Sequence, residues 1–116
     1  MTTKRIVVGA HYGLKDWLAQ RITAVVLAVY TLVLGLAILA GPPLGQASWK
    51  ALFSGPFIRV LTVLAFVALA WHAWIGVRDI YMDYIKPTAV RLTLQVATIV
   101  LLFAYVIWAA NILWSI

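Results

Sequence analysis

His72 is an ionisable residue inside an otherwise apolar stretch, since residues 60–77 between Arg59 and Arg78 contain no other ionisable side chain. It lies six residues before Arg78, about 9 Å along a helix from that charge. Ionisable groups are costly in lipid and usually face protein, water or a ligand. Two interpretations follow: a neutral histidine that bonds a neighbouring helix or reaches toward headgroups, and a metal ligand.

Small residues share the helical face of His72. They occupy positions i−7, i−4 and i+4, as Ala65, Ala68 and Gly76. Such a face allows either close helix contact or the approach of a flat cofactor. A neutral imidazole among small residues suits axial ligation of haem, with helix packing as the alternative. His11 lies outside the apolar stretches, so we expect a second axial ligand to come from another chain.

A second polar cluster follows in residues 78–87. We interpret Arg78 and Asp79 as part of a solvated loop with a local ion pair. Asp83 beside Tyr84 suggests more, because a phenol can donate to a carbonyl and a carboxylate can hold the phenol or relay protons. A lipid-soluble carbonyl substrate at the membrane surface would need such groups.

The elements that must position these residues are membrane helices. Charges divide the chain into three long apolar segments, each near the 20 or so residues needed to cross hydrocarbon. We therefore predict an all-α integral membrane protein within a heteromeric helix bundle, with one domain at 1–116 and spans at about 20–40, 58–78 and 90–114. Pro87 suits the first turn of the last helix. Trp49, Leu52 and Phe53 predict a short surface helix within residues 44–55.

Composition excludes a soluble globular domain. The 116 residues are 66% hydrophobic and 10% charged, with a mean hydropathy of +1.04; soluble domains carry about 25% charged residues. The net charge of +6 comes from dispersed basic residues, which argues against a nucleic-acid partner. With no cysteine, the chain cannot ligate an iron–sulfur cluster or form a disulfide.

Basic residues predict the orientation in the membrane. Cytoplasmic segments of membrane proteins carry an excess of Lys and Arg. Seven of the nine lie in the N-terminal segment and in the connection between the second and third spans: Lys4, Arg5, Lys15, Arg21, Arg78, Lys86 and Arg91. We therefore expect a cytoplasmic N-terminus and a periplasmic C-terminus. Arg21 would meet either lipid phosphates or a haem propionate.

The chain resembles the hydrophobic membrane-anchor subunit of succinate dehydrogenase, the smaller of that enzyme's two membrane chains. In the larger sister chain the first span opens with Arg-x-Ser/Thr-Gly, whereas here Ala24 follows Thr23. The matching elements are His72-Ala-Trp74-Ile-Gly76-Val-Arg78, Asp83-Tyr84-Ile-Lys86-Pro87, Arg91-Leu92, Gly13-Leu-Lys-Asp16-Trp17 and Arg21-Ile-Thr-Ala-Val-Val-Leu.

The resemblance implies specific roles. His72 would be one axial ligand of a b-type haem, with the other on the sister chain. Arg21 would help to hold a haem propionate, and Tyr84 would hydrogen-bond a ubiquinone carbonyl with Asp83 close by. The family often has a histidine where this chain has Lys15, which questions a propionate-binding role at that position.

The same resemblance implies three partners in a respiratory complex of the bacterial inner membrane: a cytochrome b-type membrane subunit, an iron–sulfur subunit and a flavoprotein. No activity is expected of the chain alone. Two alternatives remain, a small pore-forming or holin-like protein and a haem-free scaffold that tethers a soluble enzyme. The pore-forming alternative gives no reason for the spacing of His72, Gly76 and Asp83-Tyr84, and the absorption spectrum of the purified assembly would separate the alternatives.

Overall fold

A computed structural model describes the backbone of residues 8–116 and the side chains of residues 13–116. His11, Lys4 and Arg5 therefore lie outside the residues whose side chains are described. The described chain folds into four α-helices: α1 (Val8–Ala40), α2 (Gln46–Ser54), α3 (Pro56–Tyr84) and α4 (Thr88–Trp114). Three of them, α1, α3 and α4, are long and apolar enough to cross a membrane.

Glycine and proline separate the helices. The backbone N–H of Gly41 donates to the carbonyl of Ile38, and Pro42 and Pro43 then prevent another helical turn. A Cβ at position 41 would come within 2.9 Å of the Ala37 carbonyl oxygen, so this tight helix end requires glycine. Pro56 opens α3 at a position where no amide donor is needed.

Helix α3 lies between α1 and α4, and within the described chain those two outer helices do not pack against each other. Contacts between α1 and α3 pair rising residue numbers on one helix with falling numbers on the other, as in Thr23–His72 and Tyr30–Thr62. The two helices are therefore antiparallel. The result is an elongated layer of about 67 × 30 × 21 Å in which α3 is the one long helix of the described chain that packs against both other long helices.

The end of the layer opposite His72 is held by Arg59 in the first turn of α3. Its Nε donates to the carbonyl of Phe53 at the end of α2, at 3.1 Å. Its guanidinium also lies over the Trp114 ring near the end of α4, 5.8 Å from the ring centroid. Arg59 thus connects α2, α3 and α4 near the ends of the membrane-length helices, where basic and aromatic residues are typical of the membrane–water interface.

The all-α architecture with three membrane-length helices is confirmed, and residues 46–54 form the expected short helix. The loop predicted at Arg78 and Asp79 is wrong. Helix α3 continues for almost two further turns, to Tyr84, because its charges stop the membrane span without breaking the helix. Pro87 is the cap of α4, and Thr88 is its first residue.

We expect the hydrogen bond of 2.9 Å between Tyr30 Oη and Thr62 Oγ1 to stabilise the α1–α3 contact. A double-mutant cycle with Tyr30→Phe and Thr62→Val should give a coupling free energy of about 0.6 kcal/mol, a typical value between membrane helices. The measurement is unfolding of the purified assembly in denaturing detergent.

The matched control pair is Thr31→Val with Tyr105→Phe. Thr31 bonds its own helix at the Leu27 carbonyl, and Tyr105 lies on α4, which does not contact α1 in the described chain. This pair should show no coupling. Equal coupling in the two cycles would contradict a specific Tyr30–Thr62 bond.

Candidate functional site

Three polar pairs connect α1 to α3 along one line, which we call the polar seam. Asp16 pairs with Arg78, Thr23 with His72, and Tyr30 with Thr62. On α1 the three members are seven residues apart, which repeats the same helix face every two turns. Each residue of the seam therefore has a polar partner on the opposite helix, so it does not have to face lipid unpaired.

His72 occupies the middle of the seam. Its Nδ1 lies 3.1 Å from the hydroxyl oxygen of Thr23, which is buried at 5% exposure. The Thr23 hydroxyl is also 2.7 Å from the carbonyl oxygen of Ala19 on its own helix. The histidine is half-buried, and within the described side chains its Nε2 makes no hydrogen bond. One ring nitrogen is used to position the imidazole while the other stays available.

The small residues around His72 divide into two groups. Ala65 and Ala68 are buried at 4% and 6% exposure, on the α3 face that also carries Thr62 toward α1. They allow close helix contact, which is the alternative that the sequence left open. Gly76, one turn after His72, differs because a Cβ there would meet no atom within 4 Å. The space next to Gly76 is therefore not filled by a described neighbouring helix.

Arg78 forms the outer end of the seam. Its guanidinium donates to the Asp16 carboxylate and, at 3.3 Å, to Asp79 Oδ1. The side chains of Arg78 and Asp16 are 24% and 38% exposed, whereas Asp79 is 60% exposed. The expected local ion pair exists, but its more shielded partner comes from α1. This cross-helix pair was not foreseen in the sequence.

Two buried polar atoms near this end have no hydrogen-bond partner among the described residues. They are Gln20 Oε1, an acceptor, and Arg78 Nε, a donor. Buried polar groups are normally paired. Each of these atoms needs a partner that the described chain does not supply, such as water or a residue of another subunit.

Arg21 lies outside the seam. It is exposed and its guanidinium stacks over the ring of Trp17, one turn earlier, at 5.2 Å from the ring centroid. Thr23, two residues later, faces α3, so Arg21 projects from a different side of α1. The structure does not bring Arg21 into contact with His72. A group bound by both residues would have to extend from the α1–α3 contact to the exposed side of α1. Lys15 is likewise exposed.

Asp83 and Tyr84 end α3 and are exposed, Tyr84 at 76%. Neither side chain makes a hydrogen bond to another described residue. Asp83 follows His72 by 11 residues, almost exactly three helical turns, so the two lie on one face about 16 Å apart. A surface-accessible phenol and carboxylate thus stand beyond the end of the seam, on the same edge of the layer as Arg78.

An apolar groove of about 330 Å³ lies on the other side of α3, against α4. Its lining contains Trp71 and Trp74 but no charged residue. Apart from indole N–H groups, the groove offers no hydrogen-bond donor to a carbonyl. It therefore lacks the kind of polar group that Tyr84 would present to a carbonyl substrate. The groove opens toward α4, whereas His72 and Thr62 of the polar seam contact α1.

The helices and their polar residues define a class of membrane protein. Three membrane-length helices, with a histidine held between two of them, define a multi-pass membrane protein whose intramembrane ionisable residue marks a candidate functional site. Within residues 13–116 no cluster of three or more metal-ligating side chains occurs.

Comparison with known proteins makes the family specific. Residues 1–108 match the family described as succinate dehydrogenase/fumarate reductase transmembrane subunit. The chain is also 36% identical over 102 residues to the succinate dehydrogenase hydrophobic membrane anchor subunit of Coxiella burnetii, covering 88% of this chain and 89% of that relative. This chain belongs to the succinate dehydrogenase/fumarate reductase transmembrane subunit family, and it is a multi-pass membrane protein.

Replacing Asp16 should weaken the assembly more than replacing Asp79. We expect Asp16→Asn to lower the free energy of unfolding by about 1 kcal/mol, because the partly shielded Arg78 guanidinium then keeps only the exposed Asp79 as a partner. Asp79→Asn should lower the same free energy by less than about 0.5 kcal/mol. Thermal unfolding of the two purified variants measures the difference. Equal destabilisation would show that the Arg78–Asp16 pair does not contribute to helix packing.

Proposed function

We propose that this chain is the membrane-anchor subunit of a succinate:quinone oxidoreductase, where it co-binds a b-type haem and helps to form the site of ubiquinone reduction. The family match supports the assembly. The observation that carries the haem assignment is the hydrogen bond between His72 Nδ1 and Thr23 Oγ1, because it holds the ring through one nitrogen and leaves Nε2 without a partner among the described residues.

The residues around His72 fit a haem. An axial nitrogen ligand must be neutral and must keep a free lone pair, and ligating histidines usually donate their other N–H to an oxygen. Bound haem supplies a one-electron redox centre. His72 would hold it from this side, Gly76 leaves room for the flat macrocycle, and a cytochrome b-type sister subunit would supply the second ligand.

Arg21 would hold a haem propionate in this arrangement. Its guanidinium is exposed and has no carboxylate partner among the described residues, so it is free to bind an anion. Because it projects away from the α1–α3 contact, Arg21 would meet the propionate on the exposed side of α1.

Quinone reduction would take place beside Tyr84 and Asp83. Ubiquinone accepts two electrons and two protons to become ubiquinol. Electrons would arrive from the iron–sulfur subunit, since this chain has no cysteine to ligate a cluster. The Tyr84 hydroxyl would donate a hydrogen bond to one quinone carbonyl, and Asp83 would hold the phenol or relay a proton from water.

The same edge of the layer would face the cytoplasm of a bacterium, across the inner membrane. Antiparallel helices bring the start of α1 and the α3–α4 connection to one end, and these segments hold the described basic residues Lys15, Arg21, Arg78, Lys86 and Arg91. Lys50 and Arg59 lie at the opposite end. By the positive-inside rule the first end would face the cytoplasm, where the iron–sulfur and flavoprotein subunits would dock.

His72→Ala should abolish the reduced b-type absorption band of the purified four-subunit complex, because the iron loses one axial ligand. The spectrum of the dithionite-reduced complex, normalised to flavin, measures this loss. Thr62→Val is the matched control, since it removes a polar group from the same helix face and should retain the band. A band unchanged in position and amount in His72→Ala would contradict the haem assignment and favour a haem-free scaffold.

Tyr84→Phe should lower quinone reduction at least tenfold while sparing succinate oxidation by a water-soluble artificial acceptor, because only the quinone step needs the phenol hydroxyl. Tyr105→Phe removes another exposed phenol, 49% exposed on α4, and should leave both rates unchanged. Equal loss of both activities in Tyr84→Phe would rule out a specific role at the quinone site.

A further inference from the structure

We infer that Thr23 is the positioning residue that sets which nitrogen of His72 is free to bind iron; this rests on the proposed haem site. The threonine is buried on α1, and its hydroxyl is the group within hydrogen-bond distance of His72 Nδ1, at 3.1 Å. It sits two turns from each of the other α1 members of the polar seam, Asp16 and Tyr30.

The direction of this bond follows from counting protons. A threonine hydroxyl has one hydrogen to donate and two lone pairs to accept with. The carbonyl oxygen of Ala19 lies 2.7 Å from Thr23 Oγ1, closer than His72 Nδ1, and the carbonyl of Gln20 lies 3.2 Å away. The hydrogen therefore goes to the Ala19 carbonyl, as is usual for a threonine that bonds its own helix.

Other threonines of the chain follow the same pattern. Thr31, Thr93 and Thr98 each donate to the carbonyl four residues earlier, at 2.7–2.8 Å. Thr98 additionally lies 3.0 Å from the Tyr81 hydroxyl, which must then be the donor. Thr23 is in the same position toward His72. Its oxygen is left as an acceptor, and the imidazole must carry its proton on Nδ1.

The consequence is a fixed tautomer. A neutral imidazole has one N–H and one free lone pair; with the hydrogen on Nδ1, the lone pair is on Nε2. The reverse tautomer would place two lone pairs, those of Nδ1 and Thr23 Oγ1, against each other in a buried contact. Thr23 thus selects the ligating nitrogen and fixes the ring plane, and its acceptor oxygen increases electron donation from the ring to a bound iron.

The test compares Thr23→Val, which is nearly isosteric but has no hydroxyl, with Thr23→Ser, which keeps it. Thr31→Val is the matched control, because it removes the same group from the same helix at an exposed site. Each variant is purified as the complete four-subunit complex. The haem midpoint potential is measured by optical redox titration, and the ligand geometry by the low-spin ferric EPR signal.

We expect Thr23→Val to shift the haem midpoint potential to a more positive value and to change the EPR g values, because the ring loses electron donation and its fixed orientation. Thr23→Ser and Thr31→Val should keep wild-type values. Loss of haem from Thr23→Val alone, consistent with a 10- to 100-fold weaker site when such a partner is removed, would also support the inference. If Thr23→Val does not assemble, Thr23→Ala against Thr23→Ser makes the same comparison.

A wild-type potential and EPR signal in Thr23→Val, or an equal shift in Thr23→Ser, would overturn the role of Thr23 while leaving haem ligation by His72 intact. A wild-type complex without b-type haem, or one whose spectrum survives His72→Ala, would instead contradict the proposed haem site itself. The two failures are therefore distinguishable in one set of complexes.

Discussion

Polar side chains inside a membrane helix need a partner within the protein, and this constraint organises the contact between α1 and α3. The polar seam meets this constraint with three polar pairs whose α1 members are two helical turns apart. They are an ion pair at one end, a threonine–histidine bond in the middle and a tyrosine–threonine bond further into the span. Apolar helices in lipid have little hydrophobic reason to prefer one rotation over another. The seam supplies that preference, and Ala65 and Ala68 let the two backbones come close enough for it to form.

The position of His72 depends on this arrangement. An imidazole on an isolated helix could turn either nitrogen toward a ligand, or could reach toward the headgroups. Held by Thr23, it has a defined ring plane and a defined free nitrogen. A Cβ at Gly76 would meet no described atom, whereas Ala65 and Ala68 are packed. The packed Ala68 and the open Gly76 lie one turn before and one turn after His72 on the same helix.

The layer also suggests why such a chain works within a complex. The two outer helices flank α3 without meeting each other in the described structure, so the chain does not close into a bundle of its own. Gln20 and Arg78 keep buried polar atoms without partners among the described residues. Arg21, Asp83 and Tyr84 point their functional groups outward. A subunit built in this way presents its chemistry to neighbours, which agrees with membership of a family of transmembrane subunits.

Much of this follows from the order of residue types alone. Uncharged segments of this length predict membrane helices, because in lipid every backbone polar group must be hydrogen-bonded within the segment. The single histidine in such a segment is identifiable from the sequence as a candidate functional residue. The heptad spacing of Asp16, Thr23 and Tyr30 was also present in the sequence and could have indicated the seam. Its partners could not be read there. Which residue of α3 faces Thr23 depends on the rotation and offset of two antiparallel helices, and an apolar surface without periodicity leaves both undetermined. Only the tertiary structure decides that Arg78 pairs with Asp16, that α3 runs on to Tyr84, and that Arg21 turns away from His72.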